Sequence, residues 1–209
     1  MRAIERRRAY GGKALPYDAE VEWLKGDGNS WFNLGFAPNY LNFDITNFEL
    51  KFELPSTKAF VWAGAQMGRC QFVFVGQRFR FDFAMNEDSG RYHSEVLTLN
   101  TPYTLIQKNG QTTVGNTTYT NVSRTLPSSP NFFLFTRNPR EASTTFTGKI
   151  YYFRISDRST GNDKAFFIPV RVGQIGYIYD RVSGQLFGNQ GTGAFLLGPD
   201  VISGGSNSL

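Results

Sequence analysis

The stretch GQIGYIYDRVSGQLFGNQGTGAF, residues 173–195, decides the fold class. Aromatic and branched residues alternate along its first part, Asp180 to Gly184 turns the chain, and Gln185 to Phe187 supplies a second short run. Period-two alternation marks a strand, because successive side chains point to opposite faces of a sheet. Gly184 stands where a tight hairpin needs positive φ, a conformation that glycine adopts without steric penalty. Asp180 is placed to cap that turn by accepting hydrogen bonds from the backbone N–H groups that follow it. Tyr177, Tyr179 and Phe187 are spaced to fill a core, and Gly191 and Gly193 let the chain double back against a sheet. The whole phrase reads as a clasp in which the last strands meet the first and complete a sheet.

Other segments repeat the alternation. In FELKFEL (48–54), Phe48, Leu50, Phe52 and Leu54 share one face while Glu49, Lys51 and Glu53 share the other. CQFVFVGQRFRFDFAM (70–85) reads as two strands folding back near Gly76 and Gln77. HSEVLTLN (93–100) and YTLIQKNGQTTVGNTTYT (103–120) continue the pattern, with Asn109-Gly110 as a type I′ turn signal. NFFLFT (131–136) and GKIYYFRISD (148–157) are two more strands, the first apolar enough to be central. Helical periodicity is absent beyond single turns such as REAST or RSTGND. Many short strands separated by turn signals predict an all-β, antiparallel two-sheet β-sandwich or jelly roll. The predicted core comprises Phe48, Leu50, Phe52, Phe81, Phe133, Phe135, Ile150, Tyr152, Ile178 and Phe187. The expected organisation is a basic arm over 1–13, one sandwich over 14–199 and a flexible Gly/Ser/Asn-rich tail over 200–209.

Composition agrees with a thick apolar interior. Aromatic residues make up 16% of the 209 residues, with 20 Phe, while charged residues reach only 19%. The one cysteine, Cys70, precludes an intrachain disulfide and reads as a small buried residue. No apolar run approaches the roughly 18 residues of a membrane span, and the basic start lacks the apolar segment of a secretory signal. Charge is uneven: Arg2, Arg6, Arg7, Arg8 and Lys13 against Glu5 give residues 1–13 a balance of +4 out of +5 for the chain. The body shows no basic stripe interleaved with aromatics, which argues against nucleic acid as the partner. The arm instead suits an acidic protein surface, since guanidinium forks bind carboxylates bidentately.

Candidate chemistry is thin. Asp18, Glu20 and Glu22 occupy alternate positions, as a glycosidase carboxylate pair could, but at the first strand they read as edge carboxylates that deter sheet-to-sheet pairing. His93 has no nucleophile motif beside it. Asp82, Asn86, Glu87 and Asp88 offer oxygen ligands of the kind calcium accepts, yet loop 86–90 reads as an ordinary polar hairpin loop. The sequons at Asn116 and Asn121 read as polar strand and turn residues. No catalytic residue, metal ligand or cofactor is assigned.

Glu22-Trp23-Leu24, Asn29 to Gly35, Pro169-Val170, Ile178-Tyr179-Asp180, Ser183-Gly184 and Asn189 to Phe195 follow one another in an order that resembles a known family. It is the concanavalin A-like, laminin-G-like domains of gut Bacteroidales and their bacteriophages, including virion accessory proteins of crAss-like phages. The resemblance implies a jelly-roll sandwich and a non-enzymatic role located in the virion, as a head-fibre, decoration or tail-associated subunit. It implies capsid or tail proteins as partners, docked through Arg2, Arg6, Arg7, Arg8 and Lys13. It further implies a symmetric homo-oligomer, with a trimer favoured, and a host or environmental glycan as a ligand without naming the binding residues. A carbohydrate-binding, lectin-like module of a gut bacterium is the alternative.

Overall fold

The computed structural model describes residues 14–35, 46–55, 60–65, 70–82, 95–120, 132–136 and 145–202. Among these residues the chain forms strands and no helix. The first eight strands are β1 (Ala19–Glu20), β2 (Leu24–Lys25), β3 (Phe32–Asn33), β4 (Thr46–Glu53), β5 (Phe60–Ala65), β6 (Cys70–Val75), β7 (Arg78–Asp82) and β8 (Pro102–Lys108). They are followed by β9 (Gln111–Val114), β10 (Thr117–Thr120), β11 (Phe133–Leu134), β12 (Lys149–Asp157), β13 (Asp163–Val172), β14 (Ile175–Asp180), β15 (Leu186–Phe187) and β16 (Leu196–Leu197). An 11-stranded sheet runs β10-β9-β8-β4-β12-β13-β14-β15, with β1, β2 and β16 joined beside it. A 5-stranded sheet runs β3-β11-β5-β6-β7. The predicted antiparallel β-sandwich is the observed architecture.

Turn chemistry fixes the register. Gly76 and Gln77 take φ of 55° and 63° between β6 and β7, and Asn109 and Gly110 take 53° and 74° between β8 and β9. Positive φ at both central residues is the type I′ geometry whose twist matches the flanking strands. Residues 95–98, by contrast, are not a strand. Leu97 donates its N–H to the Gln77 carbonyl at 2.9 Å, and the Gln77 side chain returns a bond to the Leu97 carbonyl at 2.6 Å. That exchange with a turn satisfies the segment without a ladder.

The core lies between the sheets. Phe52 of β4 meets Phe74 of β6 with ring centroids 4.6 Å apart, and Phe32 stacks on Phe195 at 4.4 Å. Of the predicted core, Phe48, Leu50, Phe52, Phe133, Phe135, Ile150, Ile178 and Phe187 are buried. Phe81 belongs to β7, and its side chain lies outside the described residues. Tyr152 is not core. Ile150 pairs with Phe52 and Tyr152 with Lys51, so Tyr151 is an extra residue and the strand bulges. The bulge flips the alternation and turns Tyr152 outward while Phe153 and Ile155 point in. Tyr179 is buried with Tyr17, Ile168 and Val170 in a second, smaller cluster, and the half-buried Tyr177 packs against it.

The clasp is a backbone weave. Residues 21–25 pair with 196–200 on one side; on the other, β1 lies against β13 and β2 against β12. The first strands are therefore inserted where β12 and β13 diverge, and the reading of Asp18, Glu20 and Glu22 as residues of a free edge is corrected. Pairing continues past residue 199: Arg171 grips Asp200 at 2.7 and 2.6 Å, and Val201 donates to the Glu20 carbonyl at 2.8 Å. The Asn189 side chain accepts from the N–H groups of Trp31 and Gly191 and donates to the Gly193 carbonyl at 2.7 Å. Gly191 and Gly193 are needed for closeness. A Cβ on Gly191 would stand 1.9 Å from the Asn29 carbonyl oxygen, and one on Gly193 would stand 2.1 Å from the Asp27 carboxylate.

Asp180 caps its turn as expected, accepting from the N–H groups of Val182 and Ser183, both at 3.1 Å, while Gly184 takes φ of 75°. It also accepts from Phe166 N–H at 2.8 Å, which ties the turn to β13. Among the described residues one buried polar group goes unserved: both amide atoms of Gln107 lack a hydrogen-bond partner.

Candidate functional site

The side chains of β4 and β12 that face away from the core are not simply solvated. Because of the bulge, two consecutive tyrosines emerge on the outer face of the large sheet. Tyr151 donates its hydroxyl to Glu53 at 3.1 Å, and Lys149 pairs with the same carboxylate at 2.8 Å. The Lys149 ammonium stands 4.7 Å from the Trp23 ring centroid, and that of Lys51 stands 5.0 Å from the Tyr151 ring. Rings and ammonium groups thus alternate across β2, β12 and β4, in the range where a cation is drawn to the negative face of a ring. Burial first, and then the Glu53 charge, push the Tyr151 hydroxyl up to about 12, so it stays a donor at neutral pH.

A second row runs beside the first. Tyr152 donates to Glu49 and sets its ring edge-on to Phe166, with centroids 6.1 Å apart. Burial, followed by the bond to Glu49, pushes this hydroxyl up to about 12 as well. Arg154 and Arg181 both approach the Phe166 ring, at 5.7 and 5.2 Å. Arg154 is held by Asp163 at 2.6 Å and Arg181 by Glu20 at 2.8 Å. Tyr17 donates to Glu20 at 3.1 Å and packs edge-on against Tyr179 at 4.9 Å. Burial and the Glu20 charge raise the Tyr17 hydroxyl well above its ordinary value.

The result is a platform of half-exposed rings, Trp23, Tyr151, Tyr152 and Phe166, each steadied by a charged or hydrogen-bonded neighbour. Flat apolar plates edged by fixed donors and acceptors can hold a ligand that presents an apolar face and a polar rim.

The residues singled out from sequence are placed differently. Arg2, Arg6, Arg7, Arg8 and Lys13, His93, Asn121 and loop 86–90 lie outside the described residues. The acidic trio is dispersed among other partners. Asp18 accepts from Gly173 N–H at 2.7 Å, Glu20 serves Tyr17 and Arg181, and Glu22 is exposed. Asn116 is exposed in the β9–β10 turn, where its N–H donates to Glu95 at 3.2 Å. Among the described residues no group of three or more His, Cys, Asp or Glu gathers to hold a metal ion. Sequence reasoning missed the platform. Its signal was Tyr151-Tyr152 followed by apolar Phe153 and Ile155, whose parity conflicts with that of Ile150.

No protein-family model and no curated protein sequence matches the chain. Among solved structures it is similar to a "putative carbohydrate binding protein" from Bacteroides ovatus, with 10% identity and a TM-score of 0.58. The match covers 88% of this chain and 61% of that one, so the chain spans about three fifths of that protein. A Trypanosoma rangeli sialidase in complex with 2,3-difluorosialic acid is also similar, at 12% identity and a TM-score of 0.39, over 71% of this chain and 32% of that one. The first likeness establishes a shared β-sandwich fold.

Proposed function

We propose that the chain is a non-catalytic carbohydrate-binding sandwich whose platform is the outer face of the large sheet. The observation that carries this reading is the set of half-exposed rings fixed by the hydrogen bond and ion pair at Glu53, the hydrogen bond at Glu49 and the arginines over Phe166. A sugar ring has an apolar face of C–H groups and a rim of hydroxyls, and such a platform offers a complement to both. Rings already immobilised lose little side-chain entropy on binding, which favours affinity. The Bacteroides ovatus protein of the same fold is described as carbohydrate-binding, and this accords with the reading. Asp18 and Glu20, engaged in holding β1 in place, have structural duties that suit a binder.

The test is a polysaccharide array read with the whole chain and with Phe166→Ala. Binding to at least one neutral glycan, reduced about tenfold or more in the variant, is expected. Wild-type binding that the variant retains in full would place the site elsewhere.

The virion setting implied by the resemblance is a second proposal, favoured by the +4 charge of residues 1–13. Deleting those residues should abolish incorporation into particles and leave glycan binding intact. Normal incorporation of the shortened chain would remove the arm as anchor.

A further inference from the structure

Edge strands present unpaired backbone groups, and proteins blunt them with charge, proline, bulges or brevity. Among the described residues, β3, β15 and β16 are two residues long, and the β7 edge carries Arg78, Arg80 and Asp82. The β10 edge has none of these devices. It pairs with β9 without a register shift, through four consecutive pairs from Thr117↔Val114 to Thr120↔Gln111. From Asn109 to Thr120 the hairpin contains no charged side chain and no proline.

Hairpin geometry shows which groups of β10 are open among the described residues. Gly115 and Asn116 form the two-residue turn, so Val114 and Thr117 make the first hydrogen-bonded pair and Tyr119 with Thr112 the next. The N–H and C=O groups of Thr118 and Thr120 therefore point away from β9. These two residues are exposed, and the Thr118 hydroxyl is steadied by that of Thr113 at 2.9 Å.

We propose that β10 is a homodimer edge, at which two copies pair antiparallel about a two-fold axis through Tyr119. In that register Thr118 of each copy exchanges N–H···O bonds with Thr120 of the other, giving four bonds from the four open groups of each edge. A second copy fits better than a charged peptide because the edge is uncharged and therefore tolerates itself: threonine meets threonine and no like charges are opposed. The contact is small and the dimer correspondingly weak. The axis stands perpendicular to the sheet, so both outer faces look the same way and present two platforms to one polymeric ligand. This differs from the trimer favoured on resemblance alone.

Sedimentation equilibrium of the full chain tests the proposal without any glycan. The mass should rise with concentration from 23.6 kDa toward twice that value. Thr118→Pro removes an outward-facing backbone donor and the exposed hydroxyl contact with Thr113 but no bond to β9, and Thr120→Lys opposes like charges across the axis; each should weaken association about tenfold or more while the strand circular dichroism is retained. A wild-type chain that stays monomeric, that forms trimers, or that associates equally well as both variants would overturn the assignment. Because the readout is mass, its failure is distinct from failure of the glycan reading.

Discussion

The two faces of β4 and β12 use the same backbone and opposite chemistry. Inward, Phe48, Leu50, Phe52, Phe153 and Ile155 are sealed from water and touch other apolar groups. Outward, Glu49, Lys51, Glu53, Tyr151, Tyr152 and Arg154 pair ring with charge and hydroxyl with carboxylate. The inner face stabilises by area removed from water, about 25 cal/mol per Å² of apolar surface. Half-exposed ion pairs contribute little to folding, commonly about 0–1 kcal/mol each. On the proposed reading, these fixed rings serve recognition, while Tyr152 and Phe166 also pack against the small cluster of Tyr17, Ile168, Val170 and Tyr179.

Truncation separates the faces most sharply. Phe52→Ala removes a ring that spans the sandwich to Phe74, and should cost about 3–5 kcal/mol in denaturant unfolding. Phe166→Ala, on a half-buried ring packed against the cluster of Tyr17, Ile168, Val170 and Tyr179, should cost less, about 1 kcal/mol. Equal losses would mean that the outer rings are a second core and would break the comparison.

The clasp supplies a smaller effect, set by pH. Burial raises the Asp27 carboxyl, but hydrogen bonds from the backbone of Asn29 and Ala194, with Ser30, outweigh it and hold Asp27 below its ordinary value. A carboxyl lowered in the folded state contributes stability above its unfolded value of about 3.9, and loses it as pH falls through the folded value. Thermal melts at pH 6 and pH 3 should therefore show a larger loss for the wild type than for Asp27→Asn. Identical losses would remove Asp27 from the acid response.

Legibility in the sequence follows the same division. The sandwich, the I′ turns at Gly76-Gln77 and Asn109-Gly110, and the Asp180 cap follow from local chemistry, because a turn's φ requirements sit in the residues that make it. The outer platform does not. It depends on one extra residue in β12, and a one-residue shift exchanges the faces of everything beyond it. That shift moved Tyr152 from the expected core to the platform. The position of β1 was hidden for a different reason: its neighbours, β13 and residues 199–201, lie more than a hundred residues away, and no local pattern announces an insertion between strands. Tyr177 and Tyr179 alternate correctly with Ile178, but period two tells only that two faces exist, not which one is inside.

On the proposed reading the outer face binds and the inner face folds. Glycan titration and thermal unfolding, measured together on wild type and Phe166→Ala, test it most directly. The variant should melt within a few degrees of the wild type, as a loss of about 1 kcal/mol implies, and lose about tenfold or more in glycan affinity. A variant that melts far lower, or one that binds glycan as tightly as the wild type, would contradict it.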